Sequence, residues 1–209
     1  MIQDKFKNLG IGIVELIGIA TSFLFITGVV YHYGYYVVGL NAEWIINLLT
    51  TKELLISNLR LGASVLIAFM YLNSLFSSDG NRNHLTDLFF GIVMLSGTTV
   101  IAYVTEKNWV EALGYLFIFI SVFGLIYWKT FWKLVCVLII VFVVPFMNGF
   151  TALQYKLKSN LPVVTLKEDQ KKWLLFDTFA DKFVLIDSID DYENIRVVTN
   201  EDIVNIKSR

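Results

Sequence analysis

Few residues in this chain combine a reactive side chain with surroundings that would let it act. Glu15 is the first, standing inside an apolar run that opens near Leu9 and extends past Val30. At about 100° per helical residue, Gly12, Glu15, Gly18 and Ser22 fall within roughly 120° of one another. They form a small, polar face on a helix otherwise made of Ile, Leu, Phe and Val. An ionisable group in hydrocarbon costs several kcal/mol unless it is paired, hydrated or protonated. Two readings of this face stand. One is close helix packing through Gly18-xxx-Ser22; the other is a water-lined or protonatable site centred on Glu15.

The remaining inventory excludes more than it offers. His32, His84 and Cys136 lie in separate segments and cannot supply the spacings of a zinc site. His32 reads as a hydrogen-bonding residue of an aromatic belt, and Cys136, the single cysteine, as a small buried hydrophobe. Gly-rich phosphate loops, nucleophile elbows, HExxH and paired intramembrane aspartates are missing. Asp187, Asp190, Asp191 and Glu193 lack the ordered spacing of a calcium loop and read as a solvated acidic turn. The expectation is a non-enzyme with no cofactor and no metal.

What positions these residues is apolar helix. The chain has 209 residues, 56% of them hydrophobic and 15% aromatic, with a mean hydropathy of +0.63. From Trp109 to Thr151 only Glu111, Lys129 and Lys133 are charged, long enough to cross a bilayer twice at about 20 residues per crossing. The aromatic and basic run Tyr127–Lys133 at its midpoint reads as a turn at a membrane boundary. The expected fold is a membrane α-helical bundle over 1–153, with spans near 9–31, 54–76, 88–104, 109–128 and 131–152. Five spans is the count; four holds if one segment is re-entrant. Pro145 is expected to bend the last span.

Tyr31, Tyr33, Tyr35, Tyr36, Trp44, Trp128 and Trp132 are the expected membrane-interface residues. Ala42–Leu49 suits a short interfacial helix, and Thr50 with Glu53 spells a capping box that starts the second span. After a linker at 154–160 the period changes to two. Strands are expected at Val163–Leu166, Lys172–Asp177, Phe183–Asp187 and Ile195–Thr199, then a helical turn or last strand through Ile206. Residues 161–209 therefore suggest a small all-β domain, an SH3-like open barrel. Lys and Arg counts on the two sides favour a cytosolic position for it. A net charge of -1 gives no reason to expect nucleic acid.

Several spans followed by a small cytosolic β module resembles the membrane subunits of bacterial antiphage defence systems. The resemblance is one of architecture over the whole chain and transfers no functional residue. It implies a cytosolic partner and, for some members, assembly into ion-conducting oligomers. The expected function is an oligomeric inner-membrane channel or membrane-perturbing effector gated through the β domain. Its expected partners are the lipid bilayer, further copies of itself, and a cytosolic protein or small ligand at the β domain. The alternative is a non-conducting anchor that recruits a cytosolic protein, with a proton-coupled carrier using Glu15 as a third reading.

Overall fold

A computed structural model describes residues 12–76, 109–167, 169, 171–179, 181–189 and 194–207. Helix α1, Ile13–His32, continues without a break as a π-helical segment, Tyr33–Val38. A 3-10 turn, Glu43–Leu48, leads into α2, Thr51–Ser57, and α3, Leu59–Phe76. Then come α4, Trp109–Tyr127, and α5, Thr130–Leu138. A second π segment, Ile139–Val143, joins α5 to α6, Val144–Lys158. Five strands follow: β1 Val163–Leu166, β2 Lys172–Phe179, β3 Lys182–Ile186, β4 Ile195–Thr199 and β5 Ile203–Lys207. They form one antiparallel sheet in the order β4-β3-β2-β1-β5.

Local chemistry explains each boundary. Thr50 caps α2 as its side chain accepts from the Glu53 backbone N–H, while the Glu53 carboxylate accepts from the Thr50 backbone at 2.6 Å. The chain turns by 43° between α2 and α3 at Asn58, a buried residue whose amide donates to the Thr27 carbonyl of α1. Just before Pro145, the residue expected to bend the last span, the helix widens into a π turn. Proline has no N–H, so the ladder is re-registered just before it, with Val144 N–H bonding Ile139 O in the π pattern. The turn between α4 and α5 falls at Trp128–Lys129, as the aromatic and basic run implied.

Two helical stretches, Val14–Val38 and Thr130–Lys158, are long and apolar enough to cross a membrane. Counting the bent pair α2–α3 as one gives three. Among the described residues this supports two or three of the expected spans, not five. The expected span at 88–104 lies outside them, and α4 is a 19-residue helix in which Glu111 is the single charged residue. Large apolar side chains nevertheless stand exposed along α1, α3 and α5, among them Val14, Ile17, Leu66, Met70, Phe131 and Leu134. A second correction concerns 154–160, where residues up to Lys158 are helical rather than linker.

The helices pack where backbones can meet. A Cβ on Gly149 of α6 would collide with the Tyr31 carbonyl of α1, and one on Gly34 would lie 2.5 Å from the Phe146 carbonyl. Two glycines, one from each helix, thus allow α1 and α6 to cross at backbone contact. Gly28 makes the same allowance for α2, where a Cβ would strike the Leu54 carbonyl. Gly18, by contrast, has no atom of the described residues within 4 Å of such a Cβ. Gly149→Ala should therefore cost about 1–3 kcal/mol through overpacking, seen as a lower thermal midpoint in detergent, while Gly18→Ala leaves the midpoint unchanged. Equal midpoints for the two variants would show that the crossing is not a constraint.

Candidate functional site at the helix–sheet junction

The π segment ends α1 with Tyr35 and Tyr36 turned inward, 4% and 1% exposed. They join Leu40, Ala42 and Ile45 from the turns that follow, and Leu153 from α6, in one buried cluster. The sheet supplies the other half of that cluster: Leu174, Phe176 and Phe179 of β2, Val184 and Ile186 of β3. Fully burying an apolar side chain contributes about 1.5–3 kcal/mol, so five such residues hold the sheet firmly against the helices. The opposite face of the sheet has its own small core of Val164, Leu166, Trp173, Leu185 and Val198.

A β-bulge decides what else meets the helices. Leu174 pairs with Ile186 and Leu175 with Leu185, but Asp177, not Phe176, pairs with Val184. Strict alternation would turn Asp177 to the same face as Leu175, away from the helices. The extra residue at Phe176 reverses the parity and puts Asp177 beside Val184 on the helix-facing side. There its carboxylate accepts from the Tyr36 hydroxyl at 2.8 Å and from the Lys156 ammonium at 2.9 Å. One side chain of the sheet thereby ties α1 to α6. Lys156 also sits 5.6 Å over the Phe176 ring, and His32 stacks on Tyr36 at 5.6 Å with neither ring nitrogen hydrogen-bonded.

Beneath this bridge the same two helices border a cleft of about 440 Å³ between α3, α4 and α6. Asn58, Arg60, Ser64, Asn148, Thr151 and Tyr155 line it, with Tyr31 from α1. The Asn148 Oδ1 is buried without a hydrogen-bond partner among the described residues, and a Cβ on Gly114 of α4 would lie 3.2 Å from it. A buried amide oxygen of this kind calls for a donor from water or a solute. The cleft sets these polar groups beside Leu61, Ile118 and Ala152, a mixed lining between apolar helices.

The residues singled out from the sequence are dispersed. Gly12, Glu15, Gly18 and Ser22 all lie exposed on the first turns of α1, far along the helix from the cleft, and the Glu15 carboxylate folds back over Gly12. Tyr31 lines the cleft, Tyr33 is exposed, and Tyr35 and Tyr36 face the sheet rather than a surface. Trp44 is exposed; Trp128 and Trp132 are exposed together, their rings 6.0 Å apart. Pro145 is buried. Sequence reasoning missed Gly34, Gly149, Lys156, Asn148 and Asp177. The signal for Asp177 was present: it is the one acid in the run Trp173–Phe179.

No family model, curated protein or solved structure matches the chain.

Carboxylates outside the junction tie down the sheet's loops. Asp169 is held below the usual carboxylate range by the Lys171 backbone N–H and the Trp173 indole, each at 2.9 Å. Asp187 is lowered by the Asn194 amide at 2.6 Å and by Lys171 at 3.2 Å. Asp202 is lowered by the backbone N–H and hydroxyl of Thr199. A group whose folded value is depressed adds stability above the ordinary carboxylate value of about 4 and loses it as pH falls through the folded value. The near-UV circular dichroism of the sheet should accordingly melt at a constant temperature from pH 7 to 5 and earlier below about pH 4. A midpoint that drops between pH 7 and 5 would contradict this assignment.

Proposed function

We propose that the chain is a subunit of an oligomeric, multi-pass inner-membrane channel or membrane-perturbing effector, gated through its cytosolic β domain and serving antiviral defence. The strand order, with one helical turn before the last strand, fits an SH3-like open barrel as that domain. The observation that carries the reading is the double tie of Asp177 to Tyr36 and Lys156. Displacing the sheet moves both ends of the α1–α6 crossing, and those two helices contribute Tyr31, Asn148, Thr151 and Tyr155 to the cleft. A stimulus at the sheet thus has a short mechanical route to a polar space among apolar helices. The exposed apolar faces of α1, α3 and α5 supply the lipid-facing surface such a protein needs.

A second reading, a non-conducting anchor whose sheet recruits a cytosolic protein, draws support from the continuous core between helices and sheet, which favours a fixed platform. Planar-bilayer recordings separate the two. Asp177→Asn keeps the shape and the bond from Tyr36 while removing the ion pair with Lys156. On the channel reading it raises resting conductance several-fold over the wild type, while Asp181→Asn, on an exposed turn, leaves it unchanged. If wild type and Asp177→Asn are both silent after verified insertion, the anchor reading prevails.

A further inference from the structure

The sheet order leaves two edges, β4 and β5. They are not equally protected. Strand β4 carries a charge at its second residue, Arg196, paired with Asp169 at 3.7 Å, and its Val198 is buried. Strand β5 carries no proline and no central charge, and its apolar residues Val204 and Ile206 are 61% and 42% exposed. An open apolar edge of this kind offers unpaired N–H and C=O groups to another strand.

We propose that β5 pairs antiparallel with β5 of a second copy of this chain, across a two-fold axis through Asn205. The strand is complementary to itself in that register. Val204 falls opposite Ile206 of the second copy, and Ile206 opposite Val204. Ile206 already pairs with Val164, whose side chain belongs to the core on the outer face of the sheet, so the dimer extends that core across the axis. At each end Lys207 lies opposite Ile203 of the second copy, one residue from Asp202 and two from Glu201, placing opposite charges together. A parallel pairing would set Lys207 against Lys207, and so is disfavoured.

The geometry of the junction suits this axis. The inner face of the sheet rests on residues of α6 and of the π segment that ends α1, and a two-fold axis normal to the sheet turns that face the same way in both copies. On the membrane reading given above, both copies then sit upright in one bilayer, and that confinement raises their effective concentration. The pairing itself stands whether or not the assembly conducts.

Cross-linking of the full-length protein in native membranes tests it. Opposed residues of an antiparallel pair have Cα atoms about 4.5–5.5 Å apart, inside the roughly 4.4–6.8 Å that a disulfide spans. Asn205→Cys should give a covalent dimer under mild oxidation, at least tenfold more than Thr165→Cys. Thr165 is exposed on β1, and its distance from its counterpart would be three strand spacings, about 14 Å. The wild type, whose single Cys136 is buried, should give none. Val204→Asp, at an exposed position, should weaken dimerisation tenfold or more by mass photometry in detergent. A monomeric Asn205→Cys, equal cross-linking of Thr165→Cys, or an undiminished Val204→Asp dimer would each overturn the proposal. A wild type that is monomeric throughout would overturn it too, and would leave the edge to a strand of another protein. Conductance plays no part in these readouts, so their failure and failure of the channel reading remain distinguishable.

Discussion

Helices α1 and α6 cross with nothing but backbone between them at Gly34 and Gly149, and the arrangement on either side of that contact follows from it. A methyl group at Gly149 would meet a carbonyl head-on, so the helices cannot approach this way with any other residue there. Close approach on one side brings Tyr35 and Tyr36 to the level of Leu153, where the sheet is received. On the other it aligns Tyr31 with Asn148 and Thr151 around the polar cleft. In a lipid environment, where apolar side chains gain little by leaving one hydrocarbon for another, backbone proximity of this sort is a principal source of helix association.

The forces at the junction divide by magnitude. The apolar cluster sets whether the sheet docks at all, since each buried aliphatic or aromatic side chain contributes about 1.5–3 kcal/mol. The ion pair of Lys156 with Asp177, both partly exposed at 35% and 22%, adds on the order of 1 kcal/mol or less. Its part is angular: an apolar face can slide, whereas a carboxylate shared between a hydroxyl and an ammonium fixes one orientation. The Phe176 bulge is what makes that possible, because without the extra residue the carboxylate would lie on the far side of the sheet.

The sequence made the class of structure legible wherever a local rule was strong. Thr50 and Glu53 announced the start of α2, Trp128 and Lys129 the turn between α4 and α5, and alternation placed β1 and β4 to the residue. Within the chain, small-residue packing is used at Gly28, Gly34 and Gly149. Gly12, Gly18 and Ser22 share a helical face, but whether a face is used depends on a partner, and the partners met Gly28, Gly34 and Gly149. The tyrosines read as a boundary belt because burial by a distant sheet leaves no local trace. The role of Asp177 was hidden for a related reason: a bulge is invisible to a reading based on a period of two. Helix continuity through Pro145 and down to Lys158 was hidden because a π turn is an accommodation between neighbours rather than a propensity.

Both long helices carry such a π turn, at Tyr33–Val38 and at Ile139–Val143, on the two elements that meet the cleft. A π turn holds one residue more than the α turn it replaces, and a helix can pass that surplus along its length one position at a time. Each step turns the residue it passes by about 100° and shifts it by about 1.5 Å along the axis. In the first of the two π turns Tyr36 stands within the widened stretch and donates to Asp177. The hydroxyl that fastens the first helix to the sheet is thus carried on one of these two widened turns.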